Sequence, residues 1–222
     1  DALPIYPQKN LRCNYKDFDI VSQVSKEFCP TISVEDGYFL AWGDFAQSDF
    51  RIAYNLFIRS PENDLIMNKY EDKYEALARI VAKTLGKEFD LAKFKEERKL
   101  YKVLTLATMY GTRNSMVASE QEFITAFSAF LEKCPKYQEY YDRLHKRVQL
   151  GLPLLVTSYF GYEESIFISQ YNKESTVYDA LNSPIQTGTS EIMILTVNAL
   201  LDTFYAMGYT ENDVRVYYTR HD

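Results

Sequence analysis

Cysteine and histidine are scarce in this chain: three Cys (Cys13, Cys29, Cys134) at wide spacings and two His. That supply makes neither a zinc cluster nor a disulfide framework, so a reducing, cytoplasmic setting is expected. No run of 18 apolar residues occurs, so neither a transmembrane helix nor a membrane partner is expected. Neither GxGxxG nor GxxxxGK(S/T) is present, which removes the nucleotide-binding loops of the common α/β enzymes. Fixed-period repeats and low-complexity tracts are lacking too. The chain opens Asp1-Ala2-Leu3-Pro4, with no Met and no basic-then-apolar signal, and reads as a piece of a longer protein.

What is there is globular. The 222 residues are 46% apolar and 25% charged, a size that suits one domain or one domain with a large insertion. The net charge of −6 argues mildly against a surface that wraps nucleic acid throughout. Aromatics reach 15%, with 19 Tyr, 14 Phe and one Trp. Tyr in excess serves packing, or it supplies stacking platforms for bases; composition leaves both open.

Gly37 to Gly43 is a short apolar run between glycines that ends on Asp44, the pattern of a buried strand ending in a carboxylate. Phe50, Ala53, Tyr54 and Phe57 predict a helix from Ser48 to Arg59, and Ser60-Pro61-Glu62-Asn63-Asp64 predicts a break. Helices are expected over Lys69–Leu85, Leu91–Tyr110 and Ser119–Leu150. Ser119 and Glu122 would form a capping box, and Pro135 would kink or divide the last helix. Two short strands flank the Phe160-Gly161 turn. A helix is expected from Tyr178 to Met207, bent near Pro184 and Gly188, and a strand over Val214–Thr219 leads into Arg220-His221-Asp222.

Three constellations could carry chemistry. Asp44 and Asp222 each follow a strand; on neighbouring strands they would converge. Paired carboxylates repel unless cations lie between them, and two divalent ions about 4 Å apart suit in-line phosphoryl transfer. Alternatively each Asp is only a turn residue. Arg98, Lys102, Leu106 and Tyr110 recur every four residues, giving one helical face that runs from cationic through apolar to phenolic. It fits a triphosphate, a sugar and a base in that order, or it is a solvated basic stripe. Asn182 and Gln186, four apart, offer amides to a minor groove.

Together and in this order these segments resemble the palm and fingers of family A DNA polymerases, the bacterial repair-polymerase and phage-replicase family. Asp44-Phe-Ala-Gln47-Ser-Asp49-Phe-Arg51 is similar to that family's motif A, Arg98-x3-Lys102-x7-Tyr110-Gly111 to motif B on the O helix, and His221-Asp222 to the start of motif C. The resemblance implies an α+β, right-hand polymerase fold truncated at both ends. An antiparallel palm sheet would carry the catalytic carboxylates, with a large helical fingers insertion. Palm would cover 1–65 and 176–222, and fingers 66–175, with the O helix near 96–110. It implies that Asp44, the Phe45 carbonyl and Asp222 ligate two Mg2+ ions, and that primer–template DNA and dNTPs are the partners. Arg98 and Lys102 would bind the triphosphate, Lys102 also donating a proton to the leaving pyrophosphate. Asp49 would stand at the steric gate beneath the sugar, with Tyr110 beside it and Leu106 and Gln47 near the nascent pair. Arg51, Asn182, Gln186 and His221 would lie along the DNA.

Several positions depart from the family pattern. The gate holds Asp49 where Glu is usual, one methylene shorter. Leu106 replaces the usual aromatic residue, Tyr178 stands where Arg usually precedes the Asn, and Tyr162-Glu163 replaces a basic pair. These departures suggest a phage-type member, in a host cytoplasm if phage-encoded. The ending at Asp222 suggests that a C-terminal segment or subunit completes the enzyme. The alternative expectation is a non-catalytic primer–template binding module with a polymerase fold.

Overall fold

Side-chain caps from Ser60, Asp72 and Asp90 set where three helices begin in the computed structural model, which describes residues 5–7, 13–15, 43–168 and 173–214. The described elements are mainly helices with two small antiparallel strand pairs, a loosely α+β arrangement. The chain divides into two units, Asp1–Ala46 with Thr189–Asp222, and Gln47–Gly188. The second takes in the expected fingers range together with the helix after Asp44.

In the first unit, β1 (Ile5–Pro7) pairs antiparallel with β2 (Cys13–Tyr15), Ile5 opposite Tyr15. The strands expected over 37–43 and 214–219 lie outside the described residues except for Gly43 and Val214, as do His221 and Asp222. The palm sheet expected to carry Asp44 and Asp222 is therefore not among the described elements.

The second unit opens with α1 (Ser48–Ala53), which passes into a π-helical turn over Tyr54–Ile58, closed by the Arg59 amide donating to the Tyr54 carbonyl at 2.8 Å. The expected helix is thus present but changes its hydrogen-bond ladder, a feature that the 3.6-residue period does not signal. The stretch 60–64 expected as a break is instead mostly helix, α2 (Pro61–Met67), because the Ser60 hydroxyl caps Asn63 and Pro61 needs no amide partner at the first helical position. Next come α3 (Lys73–Thr84) and α4 (Leu91–Met109), each with an Asp cap, Asp72 and Asp90. The cap at Asp72 explains why α3 begins at Lys73 rather than Lys69.

The long helix expected over 119–150 is two helices, α5 (Ala118–Leu131) and α6 (Pro135–Gln149), with Pro135 at the start of the second. The Ser119 capping box does not form. Ser115 takes that place: its hydroxyl accepts the Val117 amide, and its own amide donates to the Gln121 side chain. A hairpin follows, β3 (Leu154–Thr157) with β4 (Glu163–Ile166), Leu154 opposite Ile166 and Leu154 and Val156 buried. The final helix, α7 (Lys173–Ala206), starts five residues earlier than expected and keeps Pro184 inside it.

The core of this unit lies where α3, α4 and α5 pack together, around Tyr74, Leu77, Phe127 and Leu131. Rings run through it in near-contact, Phe89 to Phe94 to Tyr101 to Phe123 to Phe127. A second group joins Phe57 to Tyr137 and Tyr140 on α6, where the Tyr140 hydroxyl donates to the Ala180 carbonyl of α7 at 2.9 Å. Tyr in these places is packing with a satisfied or solvated hydroxyl.

Helix α4 ends in a Schellman turn: the Thr112 amide donates to the Ala107 carbonyl and the Gly111 amide to the Thr108 carbonyl. Gly111 takes φ +110°, and a Cβ there would lie 2.3 Å from the Tyr178 ring. Gly111→Ala should therefore cost about 2–3 kcal/mol in urea denaturation. Cys134 is 4% exposed, and burial pushes its thiol up to about 11, against a small lowering by the Asn63 amide. The folded protein should resist iodoacetamide at Cys134 at pH 8. Because the unfolded chain releases this proton first, stability should fall as pH rises from the ordinary thiol value of 9.0 toward about 11. Peptide mapping of the alkylated protein and pH-dependent urea denaturation check the two.

Candidate functional site

Gln47, at the start of α1, has left-handed backbone angles of 58° and 39° with no glycine to ease them. Its side-chain amide is held at both ends. Nε2 donates to Asp72 Oδ1 at 3.2 Å, and Oε1 accepts the Lys73 amide at 3.1 Å. The short segment after Asp44 is thereby tied to the first turn of α3.

Asp72 joins a third segment to these two. Its Oδ1 also caps the Tyr74 amide at 3.0 Å, while Oδ2 accepts Arg98 Nε from the middle of α4 at 2.5 Å. The guanidinium lies 5.7 Å from the ring centroid of Tyr74, which is buried and packs on Phe50. The Tyr74 hydroxyl is pushed well above its ordinary range, first by burial and then by the Asp49 carboxylate, with Arg98 acting the other way. Arg98 and Asp72 keep 44% and 23% of their side chains exposed, so the ion pair contributes on the order of 1 kcal/mol or less. Its effect is chiefly geometric.

At the far end of α4, the Tyr110 hydroxyl donates to Asp49 Oδ2 at 3.2 Å, across 61 residues of sequence. The shorter acid at position 49 thus still reaches the phenol. The Schellman turn at Gly111 leaves Tyr110 as the C-cap of the helix, four residues on from Leu106 in the series Arg98, Lys102, Leu106. Lys102 is exposed, and Leu106 is half-buried. Gln47 and Asp49 from the first motif and Arg98 and Tyr110 from the second are joined through these contacts. Asp72 and Tyr74 take part as well and were not anticipated. The Asp72-x-x-Glu75 pattern ahead of an apolar period signals a helix cap. No local signal points to Arg98, 26 residues on.

The remaining expected residues are dispersed or outside the described set. Asp44 is exposed and takes no hydrogen bond among the described residues, and Phe45 is half-buried. An exposed carboxylate is an acceptor-only group suited to a hard cation, so Asp44 fits a Mg2+ ligand. Asp222 lies outside the described residues, within which no cluster of three or more ligating side chains occurs. Arg51 is exposed on α1. Asn182 and Gln186 are half-buried one turn apart on α7, and the Asn182 Oδ1 is buried with no hydrogen-bond partner among the described residues. No helix among the described residues is long and apolar enough to cross a membrane.

The sequence matches no protein-family model and no curated protein.

The Asp49–Tyr110 bond couples the start of α1 to the end of α4. In a double-mutant cycle, Tyr110→Phe and Asp49→Ala should show a coupling of about 1 kcal/mol by urea denaturation, reduced from the full charge-assisted value by partial exposure. Additive losses would mean that the two side chains are only neighbours.

Proposed function

We propose that this chain is the palm–fingers core of a template-directed DNA polymerase, transferring a nucleotidyl group from a dNTP to a primer 3′-hydroxyl. The observation that carries this reading is the convergence of the motif A-like segment with the O-helix-like face. Gln47 reaches Arg98 through Asp72, and Asp49 bonds Tyr110. Three motifs in family order support it as well; of these, the first two are brought together by contacts that spacing alone does not require.

In this reading the exposed Arg98 and Lys102 bind the triphosphate, Arg98 through its planar fork and Lys102 as a point charge able to give a proton to pyrophosphate. Tyr110 and Asp49 form the floor beneath the sugar. The hydrogen bond from Tyr110 restrains the carboxylate, so a 2′-hydroxyl meets a fixed obstacle rather than a side chain that can swing aside. Asp44, the Phe45 carbonyl and Asp222 would hold two Mg2+ ions. When bound, these ions supply charge stabilisation of the attacking and leaving oxygens. Arg51, Asn182, Gln186 and His221 would contact primer–template DNA.

Primer extension with Mg2+ is the test. Asp44→Ala should reduce extension by more than about a hundredfold, and extension that survives it would overturn the proposal. Salt-sensitive primer–template binding with no dNTP-dependent extension would instead mark a non-catalytic binding module, the reading that the aliphatic Leu106 on the O-helix face favours.

A further inference from the structure

We infer that Asp72 is a positioning residue for the triphosphate site: its carboxylate grips Arg98 by Nε and holds the guanidinium ready for an anion. The inference rests on the triphosphate reading of Arg98 and adds a residue that the motifs do not contain.

The geometry of the carboxylate is the first argument. Its Oδ1 is occupied by the Tyr74 amide at 3.0 Å and by Gln47 Nε2 at 3.2 Å. Held on two sides, the carboxylate is itself rigid, and its Oδ2 meets Arg98 Nε at 2.5 Å. The second argument is which nitrogen it takes. A carboxylate competing with phosphate would cap the paired terminal nitrogens, the edge that binds oxyanions bidentately. This one takes the side nitrogen. The two terminal nitrogens have no hydrogen-bond partner among the described residues. The third is the ring of Tyr74 beside the guanidinium, 5.7 Å from its carbon, which limits rotation from another direction. An arginine held in this way loses less conformational freedom on binding than one waving in water.

Two effects of the Asp72 charge oppose each other. It weakens the pull of Arg98 on an anion, and it orders Arg98. Both groups are partly exposed, so water and salt screen the repulsion of an anion farther off, whereas the directional Nε–H···O contact and the Tyr74 ring act at contact range and are screened less. Ordering therefore wins, and removal of the charge weakens anion binding.

The test uses the full chain, inorganic tripolyphosphate as the probe in calorimetry at fixed salt, and Asp72→Asn. Asn caps a helix as well as Asp does, so α3 keeps its start while the grip on Nε is lost. Tripolyphosphate should bind about threefold more weakly to the variant, and the loss should vanish in an Arg98→Ala background. In primer extension the KM for dNTP should rise by a similar factor, with kcat within about twofold. Should Asp72→Asn fail to fold, Asp72→Ser tests the same contact: Ser also caps a helix, lacks the carboxylate that holds Arg98 Nε, and should weaken binding to the same degree.

Unchanged or tighter binding by Asp72→Asn, or a loss that persists without Arg98, overturns the positioning role and leaves the triphosphate site standing. Absence of tripolyphosphate binding to the unmodified chain overturns both.

Discussion

One carboxylate organises the candidate site. Asp72 ends the loop between α2 and α3, caps α3, receives the amide of Gln47 and grips Arg98. Without it, the starts of α1 and α3 keep only the contact of Gln47 with the Lys73 amide, and the middle of α4 has no polar anchor to either among the interactions described. The forces involved are individually small. A partly exposed ion pair and three amide contacts contribute modestly to stability, but together they restrict where a long cationic side chain can point. The buried ring of Tyr74 beneath them supplies the apolar support that exposed hydrogen bonds do not provide.

Helix α4 is the frame on which the rest is measured. Its start is capped by Asp90 and its end is closed by the turn at Gly111, so the whole face from Arg98 to Tyr110 is held in register by backbone hydrogen bonds. The rings of Phe94 and Tyr101 seat it against α5. Tyr178, unusual beside the family pattern, packs directly on Gly111 and uses the space that the missing side chain leaves. The net charge of −6 also looks different beside this arrangement. It averages over a surface on which Arg98 and Lys102 are exposed together, and binding depends on local rather than summed charge.

Much of the helical framework was legible because it is written in short-range chemistry. Leu91 to Met109 follows from its capping Asp and closing Gly, and the division at Pro135 follows from a residue that lacks an amide. Where the reading slipped, a second local option was present. Ser115 displaced Ser119 as the side chain serving the start of α5, and Asp72 rather than Lys69 began α3. The π-helical turn after Ala53 had no sequence mark, since it changes the ladder and not the apolar face. Spacing put Arg98, Lys102, Leu106 and Tyr110 on one face, and the helix keeps them there.

The sequence alone determined the order of most helices, the periodic face of α4 and the hairpin around Gly161. Each of these depends on neighbours within a few positions. The resemblance put Tyr110 beside Asp49, but only the tertiary structure decided that the shorter acid still accepts its hydroxyl and that Arg98 is gripped by Asp72 on its side nitrogen. Such contacts join segments 61 and 26 residues apart. Which distant groups meet is set by how α3, α4 and α5 pack around shared rings, and many sequence positions contribute to that packing while none encodes it alone.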